Sequence, residues 1–403
     1  MNPGRADRSL DGRTHFKTVR TLAARYILGW MLLVSLLCPA WAQDKFLKER
    51  PLLRAPYREQ LASYLAQIIQ WDKDSIRELQ FTARTDVHIQ LLLGIAYEHG
   101  TSVQRDDRAA AEWYTKALRS GDEMAAFQML ALAASHRVPD ETDLNPLLIY
   151  FVRIATSRNG EARNNLGTLY LLGRIGKNDC ATAALWFRKA ADLGLPQGQF
   201  NLGNMYIHGR GVPQSQLEAR QWYARAAMQG FAPAENEMGV TSADPTEAMK
   251  WYQMAAAQGY APAMNNIGVL YAQGRGTVQD LVQAAAWYRN AAELGLASAQ
   301  NNLGTMAATG KGMDLNDVEA FEWFERSAEQ HHGPAALNLG TMYATGRGTP
   351  ANPTMAYAWL RIALAMDQPV ARELIEGVKK QLKAEDMLRS DGIMDEVLSD
   401  NDR

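Results

Sequence analysis

A Leu-Gly dipeptide, or a close variant of it, recurs at an almost constant interval along most of this chain. The successive glycines are separated by 73, 36, 36, 29, 36 and 36 residues. They are Gly94, Gly167, Gly203, Gly239, Gly268, Gly304 and Gly340. A persistent period of about 20–50 residues indicates a repeat array, in which each unit contacts mainly its neighbours. This period restricts the possible folds more than any other feature of the sequence.

An aromatic doublet follows each glycine at a fixed distance. Its first aromatic residue lies 19 residues after the glycine in most copies and 12 residues after it in the fifth copy. The interval of 73 residues contains a degenerate copy, in which Leu130-Ala131 replaces Leu-Gly. The doublets begin at Trp113, Tyr150, Trp186, Trp222, Trp251, Trp287, Trp323 and Trp359. The sequence therefore predicts eight copies.

Each copy has the pattern of two helices joined by a short loop. In the fourth copy, Leu202 and Tyr206 lie four residues apart, on one helical face, and a Gly-x-Gly loop follows. In the second segment of that copy, apolar residues recur at i, i+3, i+4, i+7 and i+8 from Ala219, which is the stripe of a core-facing helix. One such pair of helices cannot bury its apolar surface alone. We therefore expect an all-α solenoid of stacked pairs.

The tryptophans of the doublets are predicted to form the structural core of the repeats. A buried indole removes roughly 150–250 Å² of surface from water, so each one is expected to fill the wedge between neighbouring helix pairs. These residues are Trp113, Trp186, Trp222, Trp251, Trp287, Trp323 and Trp359.

The full pattern is A-x-x-x-L-G-x-x-Y-x-x-G-x-G followed by A-x-x-W-Y-x-x-A-A-x-x-G. It resembles the Sel-1-like repeat, a 36-residue relative of the tetratricopeptide repeat, over residues 87–368. The resemblance implies a right-handed superhelical solenoid that serves as a scaffold or adaptor, in bacteria often at the cell envelope. One secreted branch of the family has a disulfide in each repeat and is named for weak penicillin binding. This chain lacks those cysteine pairs, so the chemistry of that branch is not expected here.

The repeat frame predicts the domain boundaries. N-terminal capping helices are expected over 43–86, and a C-terminal capping helix with a frayed acidic tail over 369–403. The eight repeats are expected over 87–122, 123–161, 162–195, 196–231, 232–260, 261–296, 297–332 and 333–368. The fifth repeat lacks seven residues before Asp244-Pro245, which has the pattern of a helix start. This shortening is either a deliberate change of curvature at which a partner binds or a tolerated loop deletion.

The N-terminus has the pattern of a secretory signal peptide. Six basic residues within 1–25 precede an apolar run from Tyr26 to Leu37, and Ala40-Trp41-Ala42 provides a small-residue cleavage site. We expect a signal peptide over 1–42 and a periplasmic or secreted protein with no membrane span after cleavage. The alternative is an uncleaved segment that anchors the N-terminus in the membrane.

An asparagine recurs two residues before the repeat glycine. These residues, which we call the amide strip, are Asn165, Asn201, Asn266, Asn302 and Asn338. Glu237 occupies the same position in the fifth repeat. In tetratricopeptide-like solenoids the first helices line the concave surface, where a carboxamide can both donate to and accept from a peptide backbone. The strip is therefore either a peptide-binding surface or a set of hydrogen bonds between adjacent repeats, and both functions can coexist.

The loops between the two helices of a pair each present a basic residue. These residues, which we call the basic edge, are Arg174, Arg210, Arg275, Lys311 and Arg347. The edge is interpreted either as a docking site for an acidic partner or an anionic glycan, or as solvated loop charges. Their glycines follow helices rather than strands, so the loops are helix caps and not phosphate-binding loops.

Composition excludes several functional classes. The chain has 42 basic and 44 acidic residues, which does not favour nucleic-acid binding. Its two cysteines exclude a disulfide scaffold and multi-cysteine metal sites. No H-E-x-x-H or G-x-S-x-G motif is present, so no catalytic residue, metal or cofactor is assigned.

The leading hypothesis is therefore a non-enzymatic, exported scaffold that binds a protein or peptide partner in the envelope. One alternative is a glycan or peptidoglycan binder that uses the basic edge. A less favoured alternative is an envelope hydrolase related to the penicillin-binding branch.

Overall fold

The computed structural model describes residues 63–68, 71, 73–135, 137–139, 142–156, 159–172 and 179–399. The predicted signal peptide and about half of the predicted N-terminal cap lie outside these residues. The helices discussed below belong to one compact unit, Tyr64–Arg403. The described residues contain α-helices and no strand, which confirms the all-α prediction. No helix among them combines the length and the apolar character needed to cross a bilayer.

The helices follow one another with short connections. In chain order they are α1 (Lys73–Thr82), α2 (Val87–His99), α3 (Asp107–Arg119), α4 (Glu123–Ala134), α5 (Asn145–Ala155), α6 (Gly160–Leu171), α7 (Cys180–Ala191), α8 (Pro196–His208), α9 (Gln216–Ala227), α10 (Ala232–Val240), α11 (Pro245–Ala257), α12 (Ala261–Gln273), α13 (Leu281–Glu293), α14 (Ala297–Thr309), α15 (Asp317–Ala328), α16 (Gly333–Thr345), α17 (Pro353–Ala365), α18 (Ala371–Lys379) and α19 (Ala384–Ser399).

From α6 to α17 the helices form consecutive antiparallel pairs, and the second helix of each pair also packs against the first helix of the next pair. The pair α2 and α3 has the same arrangement, whereas α4 and α5 of the degenerate second copy contact each other only weakly. This chain of nearest-neighbour contacts is the architecture of a solenoid. The predicted fold class is therefore confirmed.

Polar caps fix where the second helices begin. In α7, α9 and α13 the residue before the helix is Asp179, Ser215 or Asp280, and its side chain accepts a hydrogen bond from a backbone N–H of the first turn. Such a cap contributes about 1 kcal/mol by satisfying an amide that has no partner within the helix. In the fifth repeat, Asp244 accepts from the Thr246 N–H at 2.9 Å and Pro245 is the first helical residue, as the sequence predicts.

The repeat glycine lies directly against the second aromatic residue of its own doublet. A Cβ atom at Gly203 would lie 2.5 Å from a ring carbon of Tyr223, and one at Gly268 would lie 2.7 Å from the ring of Tyr288. No real Cβ makes so short a contact, so only glycine lets the two helices of a pair approach this closely around the ring. Tyr223 is 1% exposed. The second aromatic is therefore the central core residue within a repeat.

The first aromatic residue packs between repeats. Trp222 belongs to a buried cluster with Ala183 and Phe187 of the preceding repeat, and Trp323 packs in the same way on Tyr288. Of the seven tryptophans predicted to form the core, Trp222, Trp323 and Trp359 are buried. The half-buried ones are Trp113, Trp186, Trp251 and Trp287.

The second glycine of the Gly-x-Gly loop forms another contact between repeats. A Cβ atom at Gly211, Gly312 or Gly348 would lie 2.0–2.1 Å from the backbone oxygen of the first residue of the preceding second helix. Gly312 also has φ +74°, which side chains rarely adopt. The loop therefore sits on the N-terminus of the neighbouring helix, and it sets how closely consecutive repeats approach.

The shortened fifth repeat loses part of its first helix and its loop. Helix α10 has 9 residues, whereas α8 has 13. It ends at Val240, so the position occupied by His208 in the fourth repeat has no helical counterpart.

The C-terminal segment differs from the expected single capping helix and frayed tail. It forms two helices, α18 and α19, and α19 continues to Ser399. Met394, Val397 and Leu398 pack against the buried cluster of the last repeat, and Asp391 forms an ion pair with Arg361 of α17. The tail is helical because its apolar residues cover the end of the array.

Candidate functional site

Four residues of the amide strip lie on successive first helices and are half-buried. They are Asn201 on α8, Asn266 on α12, Asn302 on α14 and Asn338 on α16. Each is therefore partly accessible to solvent while it still contacts the protein. The structure brings these four positions into one row, which is the arrangement that a surface for an extended ligand requires.

Each of these four side chains donates a hydrogen bond to an asparagine of the preceding repeat. The Nδ2 atom of Asn201 donates to Asn164 Oδ1 at 2.8 Å. Asn302 donates to Asn265 at 3.0 Å, and Asn338 donates to Asn301 at 3.0 Å. The fourth bond joins Asn266 of the sixth repeat to Asn236 of the shortened fifth repeat at 3.0 Å. These bonds fix the register of neighbouring repeats, which is the structural alternative stated above for the strip.

The bonds leave most of the hydrogen-bonding capacity of these strip residues unused. A carboxamide has two N–H donors and an oxygen with two lone pairs. In Asn201, Asn302 and Asn338 one N–H points to the neighbouring repeat, and the oxygen has no donor among the described residues. A free N–H and a free oxygen on each repeat match the C=O and N–H groups of an extended peptide.

The fifth predicted strip residue, Asn165, is different. It is 5% exposed, and its Nδ2 has no partner among the described residues. The oxygen of the fully buried Gln128, which occupies the acceptor position 37 residues earlier, also has no partner there. The accessible strip therefore begins at Asn201.

Glu237 continues the row in the fifth repeat. It is half-buried, and its Oε1 accepts a hydrogen bond from Asn236 Nδ2 at 3.1 Å. Burial raises the pKa of the Glu237 carboxyl, although the bond from Asn236 and the nearby His208 act in the opposite direction. The strip thus contains one carboxylate between amides.

The residues of the basic edge differ in whether their charge is compensated by an ion pair. Arg210, Arg275 and Lys311 are exposed and form no ion pair within the described part of the chain. Arg347 instead pairs with Asp317 at 2.5 Å and donates to the Ala308 oxygen at 2.8 Å. Arg174 lies outside the described residues. The free charge of the edge is therefore limited to three described cations.

Arg137 makes contacts like those of Arg347, although it was not predicted from the sequence. Arg137 donates to Asp107 at 2.5 Å and to the Glu98 backbone oxygen at 3.1 Å. Its acceptors lie 30 and 39 residues earlier, which are the separations seen for Arg347. Arg137 also forms an ion pair with the buried Glu98 carboxylate. It therefore fixes the degenerate second repeat to the first repeat.

Basic side chains stack on the indoles of several doublets. The Lys116 nitrogen lies 3.8 Å from the ring centre of Trp113, and Lys189 lies 4.0 Å from that of Trp186. The same i, i+3 arrangement joins Arg225 to Trp222. These contacts cover the partly exposed faces of the indoles, which supports a packing function for them.

No group of three or more His, Cys, Asp or Glu side chains among the described residues could hold a metal ion. The single cysteine described, Cys180, is half-buried and begins α7.

Comparison with known proteins identifies the repeat. The model of the Sel1 repeat family matches seven segments, which together span more than half of the chain. They are 89–122, 160–195, 196–231, 235–260, 261–296, 297–332 and 333–367. No curated protein matches the chain.

Two solved structures are similar to this chain. A Sel1 repeat protein from Oxalobacter formigenes is 34% identical, with a TM-score of 0.53 over 55% of this chain and 94% of that one. A protective antigen of uropathogenic Escherichia coli strains with an SLR fold is 25% identical, with a TM-score of 0.40 over 78% of this chain and 77% of that one. From the repeated segments and the packing of the helix pairs, the chain belongs to the Sel1 repeat family.

Proposed function

We propose that this protein is a non-enzymatic adaptor that binds an extended segment of a partner protein along the amide strip. The observation that carries this proposal is the row of half-buried carboxamides, each with an unused donor and an unused acceptor. A preformed row of this kind binds an extended chain with little ordering of its own residues, so many weak contacts can add to a useful affinity. The pattern of the N-terminus favours action in the cell envelope after export.

Replacing the three strip residues Asn201, Asn266 and Asn302 by alanine tests this proposal. Each replacement removes from the protein one donor and one acceptor that could bind the ligand. A hydrogen bond contributes about 0.5–1.5 kcal/mol. We expect the affinity for a peptide selected from a random library to fall by at least about tenfold. Isothermal titration calorimetry with the full chain measures this change.

The chain offers a matched control. The alanine variant of Asn164, Asn236 and Asn265 breaks the same three bonds between repeats but leaves the strip side chains in place. It should lose similar thermal stability and retain peptide affinity. Equal loss of affinity in both triple variants would show that the asparagines only hold the repeats together.

The second candidate function is binding of an anionic glycan at the basic edge. It is favoured by the three exposed cations Arg210, Arg275 and Lys311, which form no ion pair within the described residues. If it is correct, heparin used as a probe should bind at low salt and dissociate as the salt rises toward 1 M. The reason is that the Debye screening length decreases from about 10 Å at about 0.1 M salt to about 3 Å at about 1 M.

Substituting these three cations by alanine should abolish heparin binding. Arg347→Ala is the control because its charge is compensated by Asp317. Binding that survives both high salt and the triple substitution excludes this function.

A further inference from the structure

Glu237 is connected to the amide strip through a continuous chain of hydrogen bonds. Asn266 donates to Asn236 at 3.0 Å, and Asn236 in turn donates to Glu237 at 3.1 Å. Glu237 lies 36 residues after Asn201 and 29 residues before Asn266, which are the separations of the corresponding repeat glycines. The carboxylate therefore occupies the same place in the row as the amides on either side.

The carboxylate of Glu237 accepts a hydrogen bond from Asn236 but, unlike that of Glu247, has no described cationic partner. Glu247 pairs with Arg220 at 3.2 Å, and the buried Glu235 accepts from Gln258 at 2.8 Å. Glu237 has no Lys or Arg partner in the described part of the chain. The titratable groups that interact electrostatically with it are His208 of α8, Tyr223 of α9, Tyr252 of α11 and Tyr260, which precedes α12.

A half-buried carboxylate without a cation is unfavourable, because partial burial removes solvation and the one hydrogen bond from Asn236 replaces it only in part. Burial raises the pKa of Tyr252 and Tyr260, both phenols are near enough to Glu237 for its charge to raise the pKa further, and Tyr260 is itself half-buried. A half-buried carboxylate without a cation is a suitable environment for a Lys or Arg side chain, which gains a charge-assisted hydrogen bond there.

We propose that Glu237 is the specificity-determining residue of the amide strip and selects a bound segment that carries a Lys or Arg side chain at this position. This inference rests on the peptide-binding function proposed above. Neighbouring first helices lie about 10 Å apart, and an extended chain advances about 3.3 Å per residue. On one side of its basic residue, the bound peptide therefore needs roughly nine further residues to reach Asn266, Asn302 and Asn338. On the other side roughly three residues reach Asn201.

Selection from a random library of peptides displayed on phage, with the full chain as target, tests this inference. We expect the wild-type protein to enrich peptides with Lys or Arg at one position. Glu237→Asn, which makes the strip uniform, should still enrich peptides but without that preference. Glu322→Asn removes an exposed carboxylate from α15, a second helix that carries no strip residue, and should behave as the wild type.

The affinities of one selected peptide make the result quantitative. Replacing its Lys by norleucine should weaken binding to the wild type by about tenfold to a hundredfold, as expected for a charge-assisted hydrogen bond. The same replacement should change binding to Glu237→Asn by less than about twofold. A preference for basic residues that persists in Glu237→Asn, or enrichment by the wild type without any such preference, overturns the role of Glu237 alone. A library from which the wild type enriches no peptide overturns the peptide-binding function itself.

Discussion

Gly312→Ala is expected to destabilise the protein by about 3 kcal/mol or more. The new Cβ would lie 2.1 Å from the Leu281 backbone oxygen, and the residue has φ +74°. A positive φ costs an L-residue about 1–2 kcal/mol, and overpacking adds about 1–3 kcal/mol because a backbone oxygen in a helix cannot move aside easily. Urea unfolding followed by circular dichroism measures the loss.

Gly295→Ala is the matched control for this substitution. Gly295 has φ +90°, but a Cβ there would have no atom within 4 Å. Only the conformational cost of about 1–2 kcal/mol is expected. If the two variants were equally stable, the close contact between the loop and the preceding repeat would not exist in solution.

Tyr288→Ala is expected to cost more stability than Trp287→Ala, although tryptophan is the larger residue. Tyr288 is 6% exposed and lies against Gly268 inside its own repeat. Truncating a buried aromatic residue costs about 3–5 kcal/mol. Trp287 is half-buried, so its truncation should cost only about 1–2 kcal/mol.

Thermal and urea unfolding of the two single variants, each compared with the wild type, test this order. Because repeat arrays can unfold in stages, the first transition is the relevant one. A larger loss for Trp287→Ala would mean that the contact between repeats, rather than the contact within a repeat, limits stability.

The fold could be predicted because the same sequence pattern recurs in successive repeats. Most repeats carry the same glycine and aromatic doublet, so one weak pattern becomes strong when it recurs at intervals that are mostly 36 residues. The relative burial of the two aromatics could not be predicted in the same way. Trp222 and Trp287 occupy the same position of the repeat, yet only Trp222 is buried, because burial depends on how the preceding repeat covers each indole.

The hydrogen bonds of the amide strip could be predicted only in part from the sequence. The position of the strip followed from the period, but a peptide-binding strip and a structural strip require the same residues on the same helices. The acceptors Asn164, Asn265 and Asn301 form Asn-Asn doublets with the next residue, and this was the signal that could have indicated them. Arg137 was missed because the degenerate repeat has no Gly-x-Gly loop to mark the position.

The structure of the C-terminal segment could not be predicted from its composition. The acidic composition after Ser390 suggested a frayed tail. Met394 and Val397 nevertheless pack on the last repeat, and an array needs such a cover because its final helix pair has no following neighbour. A few apolar residues with a defined surface to cover therefore outweigh the average composition of a segment.

A crystal structure of the full chain with a peptide selected from the library tests whether the amide strip is the binding surface. We expect an extended peptide along the first helices, with its backbone within about 3 Å of the carboxamides of Asn201, Asn266 and Asn302. We also expect a basic side chain of the peptide at Glu237. A peptide bound at the basic edge or on the second helices, with the amide strip left uncovered, would contradict the proposed peptide-binding function.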